Sequence, residues 1–182
     1  MRFTLNYDGP LPARGNAEDK RKIRSSLHHQ LVELWTHPPL NGRLEWLTEN
    51  DQQSVLHRVG DSVYASLVDN RLHLLAELNI LMLRPERPGR IITSGSDLDN
   101  QLKTLFDALR RPQVQAELSD QEEPSSVEKP SHVLLDDDSL ISSVSVRTDR
   151  LLASREQNHV RLTIGVHVYP HRLTYGSFGV FS

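Results

Sequence analysis

Two aspartates, Asp97 and Asp99, stand one residue apart in the stretch GSDLDNQLKTLFDALRRP, and Lys103 follows four positions later. A second acidic run, Asp136, Asp137 and Asp138, comes after a gap of about two dozen residues. Hard divalent cations take several carboxylate oxygens from separate chain segments, and this layout supplies them. The reading is a Mg²⁺ site, with Mn²⁺ an acceptable substitute for the same oxygen donors.

These side chains need a helix and a strand to hold them. Leu102, Leu105, Phe106 and Leu109 recur at helical spacing, so one stripe of the first stretch faces a core. Ser96 or Asp97 can cap the free N–H groups, and Pro112 stops the helix after Arg111. Asp99, Lys103 and Asp107 lie four apart on a face offset from that stripe, which predicts a Lys103–Asp107 pair. The second run opens onto a strand-like segment, LISSVSV.

The two blocks, DLDNQLKTLFDAL and LLDDDSLISSVSV, resemble the RusA-type Holliday junction resolvases. That family's pattern is D-x-D-N-x-x-K-x-x-x-D-A-L, then an Asp-Asp pair with an aliphatic three residues beyond. Asp97, Asp99, Asn100, Lys103, Asp107, Ala108 and Leu109 match the first block; Asp137, Asp138 and Ile141 match the second. Asp136 is then an extra acid, and whether it replaces Asp138 beside Asp137 stays open. The resemblance implies a small homodimeric, Mg²⁺-dependent endonuclease that cuts four-way DNA junctions. It covers roughly residues 81–146; the flanks agree only in their order of elements.

Phosphodiester hydrolysis needs an activated water and neutralised phosphate charge, and one or two Mg²⁺ ions can supply both. Asp97, Asp99 and Asp138 are the expected metal shell, with Asp137 as a further ligand or just outside it. Lys103, one turn beyond Asp99, is suited to hold the scissile phosphate or the attacking hydroxide. Asn100 and Asp107 are assigned support. Arg84, Arg87 and Arg90 gather just before the acidic helix and are candidates for phosphate contact.

Along the rest of the chain, residues 2–7 alternate as a first strand, and Asn16 caps a helix running to about Trp35. Its early turns carry Lys20, Arg21, Lys22 and Arg24, read first as a solvated surface and second as a DNA contact through Lys20 and Lys22. A short helix is expected within 44–59. Segments 62–68 and 72–83 read as a hairpin around DNR, its second strand long and buried. Residues 113–132 are polar and acidic and read as a mobile loop, either inert or a flap beside the DNA site. Residues 140–146 and 159–170 read as the last strands, and the Gly- and aromatic-rich tail suits packing on a partner subunit. The expected architecture is α+β: one domain over 1–182, with a small mixed sheet packed against two main helices.

A net charge of −3 argues at first against DNA. Eight of the 24 acids, but only one of the 21 bases, fall within residues 112–138. The remaining scaffold, with 16 acids and 20 bases, is mildly basic. There is no cysteine, so thiolate metal sites and disulfides are excluded. No apolar run is long enough to span a bilayer and the N-terminus lacks a secretory h-region, so the cytoplasm is the expected location and no membrane partner is expected. No signal for an organic cofactor is present. An EF-hand loop fails because its glycine position holds Leu102. A haloacid-dehalogenase pattern fails because Asn100 and Gln101 follow the Asp-x-Asp. The nine histidines show no HExxH spacing and read as structural or surface residues. Alternative functions are a nuclease for other branched DNA or RNA, or a non-catalytic binder of the same fold.

Overall fold

The computed structural model describes residues 1–49, 53–85, 96–152 and 158–172, with only the backbone described at Ser96 and Asp97. The chain forms an α+β domain of two helices and two mixed sheets. Strand β1 (Arg2–Pro10) leads into helix α1 (Ala17–Trp35), followed by β2 (Leu56–Val59), β3 (Ser62–Val68) and β4 (Leu74–Arg84). Helix α2 (Ser96–Leu109) comes next, then β5 (Ser131–Leu135), β6 (Ile141–Arg150) and β7 (His159–Pro170).

Helix α1 begins where the sequence says it should. The Asn16 side chain accepts from the Asp19 N–H, and the Asp19 carboxylate accepts from the Asn16 N–H, a reciprocal capping box. Ile23, Leu27, Leu31 and Trp35 form its buried stripe. The segment around 44–59 departs from expectation. Only a 3-10 turn at Leu44–Leu47 is helical, and Leu56 onward is strand β2. Gly60 and Asp61 join β2 to β3 in a tight hairpin in which Val59 faces Ser62, and the φ of +56° at Gly60 suits glycine.

Instead of one small sheet there are two, ordered β1-β7-β4-β6 and β2-β3-β5. The expected hairpin of β3 with β4 does not form. Asp69 caps a 3-10 turn at Asn70–Leu72, His73 takes a left-handed φ of 54°, and the chain crosses to the other sheet. The burial patterns explain the separation. Every residue of β3 is buried, so both its faces are covered. Strand β4 alternates, burying Leu74, Ala76, Leu78, Ile80 and Met82 and exposing Glu77 and Asn79 to solvent. A shared core joins both sheets and both helices, from Leu5 and Leu27 through Trp46 and Leu67 to Ile80, Leu105 and Val168.

The segment expected to be a mobile loop is tied to the body at several points. Ser119 Oγ donates to Glu18 at 2.6 Å, the Tyr64 hydroxyl to Glu122 at 2.8 Å, and Ser125 Oγ to the Val63 carbonyl at 2.7 Å. Its last two residues, Ser131 and His132, already belong to β5. Among the described residues no helix is long and apolar enough to cross a membrane.

Candidate functional site

Helix α2 is held by its buried side. Leu98, Leu105, Ala108 and Leu109 enter the core, while Leu102 and Phe106 are partly buried against it. Two buried polar residues fix its position. Gln101 Nε2 donates to the Leu11 carbonyl at 2.9 Å, and Thr104 Oγ1 accepts from the Gly15 N–H at 3.1 Å. A β-carbon at Gly15 would come within 2.4 Å of Thr104 Cγ2, so this approach requires glycine.

With that side buried, Asp99 and Lys103 stand exposed one turn apart, and Asn100 is half-buried. Among the described residues neither Asp99 nor Lys103 has a side-chain hydrogen bond or ion pair. Asp107, on the same stripe, does not pair with Lys103. Its Oδ2 accepts from Lys20 Nζ at 2.7 Å and its Oδ1 from Arg110 Nη2 at 3.3 Å. The reason is reach. Helix α1 packs against α2 and presents a longer-range cation to a carboxylate that is only 15% exposed, while Lys103 points into solvent.

The second acidic block folds against the same helix. Arg110 bridges to Leu135 in the parallel sense, the Arg111 N–H donates to the Leu135 carbonyl at 2.9 Å, and α2 packs against the 3-10 turn at Asp138–Leu140. Asp137 caps that turn through Ser139. Hydrogen bonds from Ser139, then the charges of Arg110 and Arg111, hold its carboxyl below the usual range, so it is ionised at neutral pH. Asp138 is exposed. Asp99 lies about 16 Å of helix rise from Arg110, so the two acidic blocks sit toward opposite ends of α2. The side chain of Asp97 lies outside the described residues, as do Arg87, Arg90 and the tail from residue 173. Asp99, Asp137 and Asp138 are hard oxygen donors of the kind Mg²⁺ takes, but among the described residues they do not gather into one cluster of ligand atoms.

The basic residues are redistributed. On α1, Lys20 serves Asp107, Arg21 makes two bonds to Glu18 at 2.7 and 2.8 Å, and Arg24 is buried beside Glu122. Lys22 remains 64% exposed, 3.6 Å from Glu18. Arg84 is positioned by the acidic helix itself, with its Nη1 3.4 Å from Gln101 Oε1. In the β4–β6 ladder Arg84 lies directly beside exposed Arg150, a neighbour the sequence reading missed because a parallel pairing leaves no local signal.

A further cluster also escaped the sequence. Ligand-type atoms of His57, Asp69 and Asp136 lie within 4.8 Å of one another. His57 Nε2 is 2.5 Å from Asp69 Oδ2 and 3.6 Å from Asp136 Oδ1, and Arg111 Nε donates to that same Asp136 oxygen at 2.6 Å. The His57–Asp69 and Arg111–Asp136 contacts are hydrogen bonds, and the guanidinium already occupies the place a cation would take. Asp136 is thereby a structural acid turned away from Asp137 and Asp138. The three come from β2, the end of β3 and the end of β5, positions that only sheet pairing brings together.

No protein-family model and no curated protein matches this chain.

Proposed function

We propose that this protein is a Mg²⁺-dependent, structure-selective DNA endonuclease that resolves four-way junctions by symmetric phosphodiester hydrolysis. The observation that carries the reading is a contrast among the charged residues of the two blocks. Asp107, Asp136 and Asp137 are occupied by protein partners, whereas Asp99 and Lys103 are exposed and, among the described residues, unengaged. An acid and an ammonium kept free in this way suit work on a ligand from solution. Asp97 and Asp99 would hold a metal at the start of α2, which would supply an acidified water and charge neutralisation; Asp137 and Asp138 lie too far along the helix to share that ion. Lys103 would hold a phosphate oxygen as a point charge. Arg84 and Arg150 would steady the strand through its backbone, and Lys22 would add a weaker contact. Arg87 and Arg90 belong to the same proposal. A homodimer would present two such centres to the two-fold symmetric junction, and a cytoplasmic location fits access to DNA.

The separation of the acidic blocks along α2 favours keeping a second reading, a nuclease for other branched DNA or RNA. The deciding experiment incubates purified protein with labelled four-way junction, flap and linear duplex, with Mg²⁺ and with EDTA. Paired cuts confined to the junction with Mg²⁺ support resolution. Cuts confined to flap or RNA transfer the site to the second reading, and binding without scission would leave a non-catalytic member of the fold.

A further inference from the structure

The sheet β1-β7-β4-β6 ends in two edge strands, and the fold treats them differently. The β1 edge is closed by a side chain of α1. Gln30 Oε1 accepts from the Asn6 N–H at 2.9 Å, and Gln30 Nε2 donates to the Asn6 carbonyl at 2.7 Å. Strand β6 pairs with β4 alone, and among the described residues no group outside β4 bonds its backbone from Ser142 to Thr148. A register shift opposite Ala76 and Glu77 leaves Ser142 out of the ladder, and Ser143 to Val146 then run regularly with neither a charge nor a proline. Those are the devices that normally keep an open edge from pairing. Val144 and Val146 continue the core-side row of Leu78 and Ile80, which are buried, yet Val144 is 41% exposed. On the other side Ser143 lies beside Glu77, and Arg147 is exposed with no partner among the described residues.

We propose that β6 is a self-association edge: two copies of this chain pair β6 to β6, antiparallel about Ser145, and join their four-stranded sheets into one of eight strands. The strand is complementary to itself in that register. Val144 of each copy faces Val146 of the other on the core side, so the exposed valine is covered twice by symmetry. On the opposite side Arg147 of each copy faces Ser143 of the other, and just beyond that small residue stands Glu77 on β4. Strands lie ~4.8 Å apart, so Arg147 and this Glu77 are two spacings from each other, a gap that their long side chains close from both ends. No like charges face each other across the seam. The pairing is tested without DNA, so it and the nuclease reading fail separately.

The test is sedimentation of the full chain over a dilution series, joined to oxidative cross-linking. The wild type should sediment as a dimer that dissociates on dilution. Val144→Lys, which puts two ammonium groups into the apolar row, should weaken the dimer at least tenfold. Arg147→Glu should do the same, and adding Glu77→Arg to Arg147→Glu should restore it; this charge exchange decides the matter if Val144→Lys does not fold. The chain has no cysteine, so Ser145→Cys reports the axis directly. Mild oxidation should convert that variant to a covalent dimer and leave Thr4→Cys, on β1, a monomer. A wild-type chain that stays monomeric up to roughly 0.5 mM, where a dimer of micromolar Kd would be nearly complete, would overturn the proposal. A dimer whose affinity neither Val144→Lys nor Arg147→Glu changes would overturn it in favour of another surface.

Discussion

Lys20 reaches from α1 to α2 and sets its ammonium 2.7 Å from the Asp107 carboxylate, at side-chain exposures of 26% and 15%. The bond makes Lys20 a strut between the helices and takes it out of the proposed set of DNA contacts. Lys20→Met is expected to lower stability by about 1 kcal/mol, because Arg110 still partners Asp107. Urea denaturation measures it; junction affinity should stay unchanged if the strut is the whole role.

Asp99→Asn is expected to lower Mg²⁺-dependent junction cleavage by ~100-fold or more, with stability little changed because Asp99 is exposed and has no side-chain bond among the described residues. Single-turnover cleavage rates beside a thermal melt separate the two effects. A variant that cuts at the wild-type rate removes Asp99 from the site.

Arg150→Ala should weaken junction binding without altering the single-turnover rate at saturating protein. It should also flatten the dependence of log affinity on log salt by about one phosphate contact. Binding isotherms at several salt concentrations give the slope, and an unchanged slope would remove Arg150 from the DNA surface.

Among the described residues, His57→Ala leaves the fully buried Asp69 carboxylate with only the Arg71 N–H, 2.8 Å away, and should cost about 3 kcal/mol. Because the cluster is satisfied by His57 and Arg111, EDTA should leave the wild-type melting temperature unmoved. A chelator-sensitive melt would show instead that a metal ion sits among His57, Asp69 and Asp136.

Burial, and then the neighbouring His28, lower the pKa of His132 from an ordinary 6.5 to about 4. Between those values the unfolded chain binds more protons than the folded one. The associated stability is therefore complete above pH 6.5 and is lost as pH falls toward 4, by ~3 kcal/mol in all. Unfolding free energies from pH 7 to 4 should fall less steeply in His132→Phe. An equal slope in the two proteins would refute the assignment.

Much of this molecule is legible from local sequence. The capping box at Asn16, the stripe Ile23-Leu27-Leu31, the apolar side of α2 and the alternation along β7 all follow from periodicity and cap chemistry, which act within a few residues. The exposure of Asp99 and Lys103 was legible for the same reason, since they lie off the apolar stripe. Even the β2–β3 turn had a local signal in Gly60-Asp61, outweighed by a helical reading of the residues before it.

What tertiary structure alone decided are partnerships between distant segments. Sequence could not assign β3 and β4 to different sheets, because burial on one face or two depends on what else packs there. It could not foresee that Asp107 would choose Lys20 over Lys103, since that choice depends on α1 lying alongside α2. Nor could it separate Asp136 from Asp137 and Asp138. Three adjacent aspartates look alike in a line, but the end of β5 turns the first toward Arg111 and His57 and leaves the third in solvent. Local sequence fixes which side chains a helix or strand presents; only the packing of those elements fixes which charges find each other and which stay free.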